Sequence, residues 1–253
     1  MTPGYVGEIF SGIQGEGLWV GERQLFVRLV ACNLRCSSCD TAWARERTLY
    51  CRVEKSAGAR DFEERANPLD PPDAAALVLR LNSPRLHDSV SLTGGEPLLQ
   101  PEFLRDLARR LRPEGLRIYL ETNGTLPEAL AVVLDVVDVI AMDLKLPSAA
   151  GFECWEEHRA FLQAARPFLD AGSPLFAKAV FADSTAEGEI ERACELLAAV
   201  SPDLPLVLQP VSQVPGGPAP PAPARALALH AVARRSLRRV RIIPQMHKLM
   251  GQM

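Results

Sequence analysis

The 253-residue sequence predicts an α/β fold with parallel strands, and two observations carry that expectation. Strand-like apolar runs recur along the chain with amphipathic helical patterns between most of them, and such alternation calls for parallel pairing through right-handed crossovers. The length suits one domain over 1–253 with one substantial core. A doubly wound sheet and a complete or partial (β/α) barrel both satisfy this pattern.

The first strand is read at QLFVRLVA (24–31), followed directly by a cysteine-bearing loop. A polar, charged tract from about 46 to 73 then reads as a surface excursion, either a lid or a dimer surface. Further strands are expected at SVSLT (89–93), LRIYLE (116–121), VDVIAMDLK (137–145), PLFAKAVF (174–181), LPLVLQPV (204–211) and RVRIIP (239–244). Phe103, Leu104, Leu107 and Leu111 form one helical stripe, and Ile190, Ala193, Cys194, Leu197 and Val200 form another. PGGPAPPAP (215–223) is too rich in proline and glycine to be a regular element and reads as a stiff connection before the last helix.

The balance of 28 basic and 31 acidic residues argues against nucleic acid as a partner and favours a small-molecule substrate. The arginines at 234, 235, 238, 239 and 241 read as a solvated face. No run of about 18 apolar residues is present to cross a membrane. The first ten residues lack the pattern of a secretion signal, so a cytoplasmic location is expected. Six cysteines, unevenly spaced, suit metal chemistry better than a disulfide framework.

Cys32, Cys36 and Cys39 form C-x3-C-x2-C at the end of the first strand, the end where α/β barrels build their active face. Three thiolates leave one iron of a four-iron cluster open to another ligand, whereas a structural zinc site wants four protein ligands, with Cys51 available as the fourth. After the next strand, Thr93-Gly94-Gly95-Glu96-Pro97 presents two backbones without Cβ and a carboxylate, either a tight turn or a cradle for an ammonium group.

Together, in this order, these motifs resemble the radical S-adenosylmethionine superfamily. The resemblance implies a partial (β/α) barrel in which Cys32, Cys36 and Cys39 hold a [4Fe–4S] cluster. S-adenosylmethionine would be bound by Ser38, Cys39, Asp40, Gly94, Gly95, Glu96 and the segment Asp143-Leu144-Lys145. A closer resemblance, over nearly the whole chain, is to the 7-carboxy-7-deazaguanine synthase family of queuosine and related pathways. It rests on EIFSGIQGEG (8–17), FVR (26–28), CDT (39–41), LETNGT (120–125) and PQMHK (244–248).

That resemblance implies a carboxylated tetrahydropterin substrate, radical ring contraction with loss of ammonia, and a Mg2+ ion beside the substrate carboxylate. An electron donor of the flavodoxin or ferredoxin kind and a homodimer are expected with it. Ile13, Gln14 and Gly15 would offer backbone and amide groups to the pterin edge, and Glu16 would accept from its guanidine-like nitrogens. Arg28 offers a planar fork for a carboxylate, and Thr41 a hard oxygen for Mg2+. Thr93 would face the substrate, and His247 would hydrogen-bond it or relay a proton. The alternatives are another radical S-adenosylmethionine enzyme, such as a glycyl-radical activase, which does not call for IQGEG or His247-Lys248, and a non-catalytic zinc or iron–sulfur protein.

Two departures accompany the match. Ser38 stands where the superfamily usually has an aromatic residue beside the adenine, and Trp43 is expected to supply the missing apolar shelf. The chain ends six residues past His247, so the Met253 carboxylate is expected to reach the site.

Overall fold

The computed structural model describes residues 1–252. Ten strands form one sheet: β1 (Val6–Ile13), β2 (Arg23–Leu29), β3 (Tyr50–Glu54), β4 (Phe62–Ala66), β5 (Ser89–Gly94), β6 (Arg117–Thr122), β7 (Val139–Asp143), β8 (Leu175–Phe181), β9 (Leu206–Pro210) and β10 (Val240–Ile242). Their order, β10-β9-β8-β7-β6-β5-β2-β1-β3-β4, leaves two free edges, so the sheet is an open partial barrel. From β2 through β10 every neighbouring pair is parallel. β1 runs antiparallel to β2, and β4 antiparallel to β3.

The helices are α1 (Pro71–Leu81), α2 (Pro101–Leu111), α3 (Pro127–Val133), α4 (Pro147–Ala150), α5 (Trp155–Ala164), α6 (Arg166–Asp170), α7 (Glu187–Val200), α8 (Pro223–Ala233) and α9 (Met246–Leu249). Five of them open on proline, whose fixed φ suits the first helical turn and whose missing N–H would have no partner there. The larger helices pack in series, α1 on α2, α2 on α3, α3 on α5, α5 on α7 and α7 on α8. The main core lies between this layer and the sheet. The proline-rich connection ends where α8 begins, and the five arginines that follow are exposed.

The tract expected to be a surface excursion is a correction to the sequence reading. Its centre is the β3–β4 hairpin, and β3 joins the sheet in parallel with β1, pairing Glu8 with Arg52 and Ile9 with Val53. Cys51 and Val53 alternate inward while Arg52 faces out, a period-2 pattern too short to stand out within a charged tract. Strand β1 was likewise not legible, because its glycines and polar residues read as a motif rather than an element. No helix among the described residues is long and apolar enough to cross a membrane.

Candidate active site

Period-2 alternation divides each barrel strand between two environments. On β7, Ile140 and Met142 enter the main core, while Val139 and Ala141 turn inside the barrel. The inner file then ends on Asp143. On β6, β8 and β9 the same rule puts Tyr119, Phe176 and Val207 in a small apolar floor with Leu18 and Trp19 packed against it, and carries Glu121, Lys178 and Gln209 above it. Arg28 on β2 and Thr93 on β5 complete a ring of inward polar side chains around a cavity of about 210 Å³.

Cys32, Cys36 and Cys39 are half-buried thiols on the wall of this cavity. Their loop is fixed by its surroundings. Ser37 N donates to Ala150 O at 3.0 Å and Ser38 N to Ala149 O at 3.1 Å, tying the loop to α4. Arg45 Nη2 donates to Cys36 O at 2.7 Å. Burial raises the Cys32 and Cys36 thiols above their usual value, with the Lys145 ammonium opposing it. Cys51, Cys154 and Cys194 are buried and do not line the cavity, so Cys51 is not a fourth ligand. Burial pushes its thiol up to about 12. The cavity thus offers three thiols at an open position, which suits a four-iron cluster with one exchangeable iron and not closed tetrahedral zinc.

The TGGEP turn is divided between cavity and core. Gly94 takes φ +144, and a Cβ there would stand 2.1 Å from Leu29 O; at Gly95 it would stand 2.2 Å from Ala31 O. These glycines let β5 close onto β2 and leave backbone facing the cavity. Glu96, expected to contact the cofactor, does not line the cavity. Its side chain is fully buried and accepts from Leu98 N at 3.0 Å, Thr122 Oγ1 at 2.8 Å and Asn123 N at 2.7 Å. Burial outweighs these bonds and raises its carboxyl to about 7. Leu144 is also corrected: it is 1% exposed and belongs to the main core.

Asp143 and Lys145 do line the cavity, joined at 2.9 Å. Lys178 pairs with Asp143 at 2.9 Å and also with Glu16, so Glu16, Lys178, Asp143 and Lys145 form a continuous chain of alternating charge. Arg28 Nε donates to Glu8 Oε1 at 2.8 Å, holding the guanidinium against the barrel wall. Gln14 is spent within the protein. Its Nε2 donates to Glu121 Oε1 at 2.9 Å and Gln24 Oε1 at 3.1 Å, and its Oε1 accepts from Glu16 N at 3.0 Å. The amide expected to meet the pterin therefore positions Glu121 and Glu16 instead. Gln209 is 2% exposed, and its Oε1 has no partner within the protein, so an acceptor stands ready on the cavity wall.

The C-terminal segment closes one side. Met246 N donates to Gly15 O at 2.9 Å. Gln245 Nε2 donates to Glu16 Oε1 at 2.5 Å and Asp40 Oδ2 at 2.9 Å, while Lys248 pairs with Asp40 at 2.6 Å. These partners hold the Asp40 carboxyl far below its ordinary value against the opposing effect of burial. Thr41 Oγ1 donates to Asp40 Oδ1 at 3.0 Å. One ligand atom each from Glu16, Asp40 and His247 lies within 4.8 Å of the others, and burial lowers the His247 imidazole.

Ile13, Gln14, Gly15, Glu16, Arg28, Ser38, Cys39, Asp40, Thr41, Thr93, Gly94, Gly95 and His247 all border this one cavity. Trp43 does not; its ring lies over Gly7, 2.8 Å from where a Cβ would stand. Met253 lies outside the described residues. Lys178, Gln209 and Gln245 were missed from sequence, although Lys178 and Gln209 are the only polar residues in otherwise apolar strands.

The family model described as the Radical SAM superfamily matches residues 27–162, more than half of the chain, and the fold and three-thiol site are those of a radical S-adenosylmethionine protein. The chain is 44% identical over 249 residues to the 7-carboxy-7-deazaguanine synthase of Geobacter sulfurreducens, covering 97% of this chain and 96% of that protein. It is 35% identical to the synthase of Methanothermobacter thermautotrophicus, with 96% of each covered. The chain belongs to the 7-carboxy-7-deazaguanine synthase family. The crystal structure of QueE from Escherichia coli shares the fold with a TM-score of 0.61 at 22% identity, covering 96% of this chain and 94% of that one.

Proposed function

We propose that this chain converts 6-carboxy-5,6,7,8-tetrahydropterin to 7-carboxy-7-deazaguanine with loss of ammonia, a lyase step of 7-deazapurine biosynthesis. The observation that carries the reading is convergence: Glu16, Arg28, Thr93 and His247 open on the same cavity as the three cysteines.

A [4Fe–4S] cluster on Cys32, Cys36 and Cys39, with S-adenosylmethionine on its open iron, would supply the electron and the carbon radical that takes hydrogen from the pterin. The chain's own residues then orient and enclose. Gly94, Gly95, Ser38, Asp143, Lys145 and the unpartnered Gln209 Oε1 form the cofactor side. Ser38 N is already taken by Ala149, so the residue's remaining contact is through its carbonyl or hydroxyl.

On the substrate side, the Arg28 fork faces the pterin carboxylate, its Nε fixed by Glu8 and its terminal nitrogens left to bind. Ile13 and Gly15 frame the pterin edge, Glu16 accepts from its N–H groups, and Thr93 supports its face. His247, neutral at physiological pH because burial lowers it, accepts or returns a proton at the ring. Thr41, held by Asp40, offers a hard hydroxyl oxygen to Mg2+ at the substrate carboxylate. One domain over 1–253, a cytoplasmic location, reduction by a flavodoxin or ferredoxin, and a homodimer complete the reading.

Anaerobic reconstitution with S-adenosylmethionine, reductant, Mg2+ and the carboxypterin tests it. Carboxydeazaguanine and 5′-deoxyadenosine are expected together; deoxyadenosine alone would defeat the substrate assignment.

A further inference from the structure

A buried polar cluster behind β1 takes no part in the cavity. Ser11 Oγ meets His87 Nε2 at 2.8 Å, and His87 Nδ1 meets Asn82 Oδ1 at 2.9 Å. The sequence of groups resembles a nucleophile relay, but all three residues are buried, none lines the cavity, and Ser11 Oγ also accepts from Arg23 Nε at 3.1 Å. The cluster is a footing. Ser11 N donates to Glu54 Oε2 at 2.9 Å, and the other oxygen of this buried carboxylate accepts from Arg60 N at 2.7 Å. Arg23 Nη2 holds Ala57 O at 3.1 Å. The turn between β3 and β4 is thereby fixed to the body of the sheet.

Arg60 adopts φ +59, a left-handed backbone that glycine accepts more readily, so the turn itself does not call for arginine. Its side chain has another use: the exposed guanidinium reaches across to donate from Nη2 to Gly251 O. Gly251 follows α9, the segment that carries His247 and Lys248 and is preceded by Gln245. The front of that segment rests on Gly15 and Asp40, and Gln252 N returns to His247 O at 2.7 Å.

We infer that Arg60 is a positioning residue, and that the β3–β4 hairpin is a clasp holding the C-terminal segment, and hence His247 and Gln245, over the substrate cavity. The clasp rests on the proposed reading only in calling the cavity's ligand the pterin. It gives the 46–73 tract a purpose at the site, reached from behind the sheet.

The test compares the full-length chain with Arg60→Ala and Arg60→Lys. Hydrogen exchange should quicken in Arg60→Ala at the amides of Met246, Met250 and Gln252 while those of β5 to β8 hold steady. KM for the carboxypterin should rise about tenfold with S-adenosylmethionine affinity unchanged. Arg60→Lys should recover part of both. Unchanged exchange at the C-terminal amides would overturn the clasp whatever the substrate proves to be. Quickened exchange with an unchanged KM would overturn the positioning role. A wild-type chain that makes no carboxydeazaguanine would instead defeat the substrate reading, and the exchange comparison would still decide the clasp.

Discussion

Gly15 and His247 compete for one volume: a Cβ on Gly15 would stand 2.1 Å from His247 Nδ1 and 2.5 Å from its Cβ. The imidazole can lie against the N-terminal motif only because residue 15 has no side chain. Gly15→Ala should therefore displace His247 and loosen the Met246 N to Gly15 O bond, costing about 1–3 kcal/mol of overpacking. Substrate KM should rise at least about tenfold with cofactor affinity retained, as read by steady-state kinetics and a binding titration.

Lys178 neutralises two carboxylates at once. Burial alone would lower its ammonium, but Asp143 and Glu16 outweigh it and hold it well above the usual lysine value. A base raised on folding contributes fully below its unfolded value of 10.5, so the contribution is constant through neutral pH. Lys178→Met takes away the cation shared by the two carboxylates, leaving Asp143 to Lys145 and Glu16 to the neutral Gln245 amide, and thermal unfolding should report a loss of about 3–5 kcal/mol. A loss under about 1 kcal/mol would mean that water or another cation replaces the ammonium.

Glu96 titrates as a stability switch. Its carboxyl is raised from 4.5 to about 7, so the folded state binds the proton more tightly. That stabilisation is present at low pH and drains as pH climbs between these values, by about 3 kcal/mol in total. Glu96→Gln removes the slope, and denaturant melts of both apo-proteins across that range should converge or cross as pH rises. Parallel curves would remove the assignment.

The cysteines separate by position. Alanine at 32, 36 or 39 should abolish bound iron and sulfide after anaerobic reconstitution, while Cys51→Ala should keep both and lose only about 1 kcal/mol. Iron loss in Cys51→Ala would reinstate it as a ligand.

What was legible in the sequence was the motif and the regular alternation. The C-x3-C-x2-C spacing, the GGEP turn and the flanking strands place themselves by local rules, and seven strands fall where apolar runs stand. The rest depended on partners distant in sequence. Gln14 reads as a substrate amide until Gln24 and Glu121 are seen to occupy it. Glu96 reads as a cradle until Thr122 and Asn123, on the next strand end, take both its oxygens. Lys178 lay within reach: a lone charge at an inner position of an apolar strand marks the wall of a barrel's cavity, and strand alternation alone would have found it.

The open sheet ends on β10, only three residues long, and on β4, whose Glu63, Glu64 and Arg65 crowd its edge with charge. Neither edge invites a foreign strand to zip onto it. Such edges disfavour backbone pairing between copies, so contact through faces and side chains is the expected mode if two copies meet.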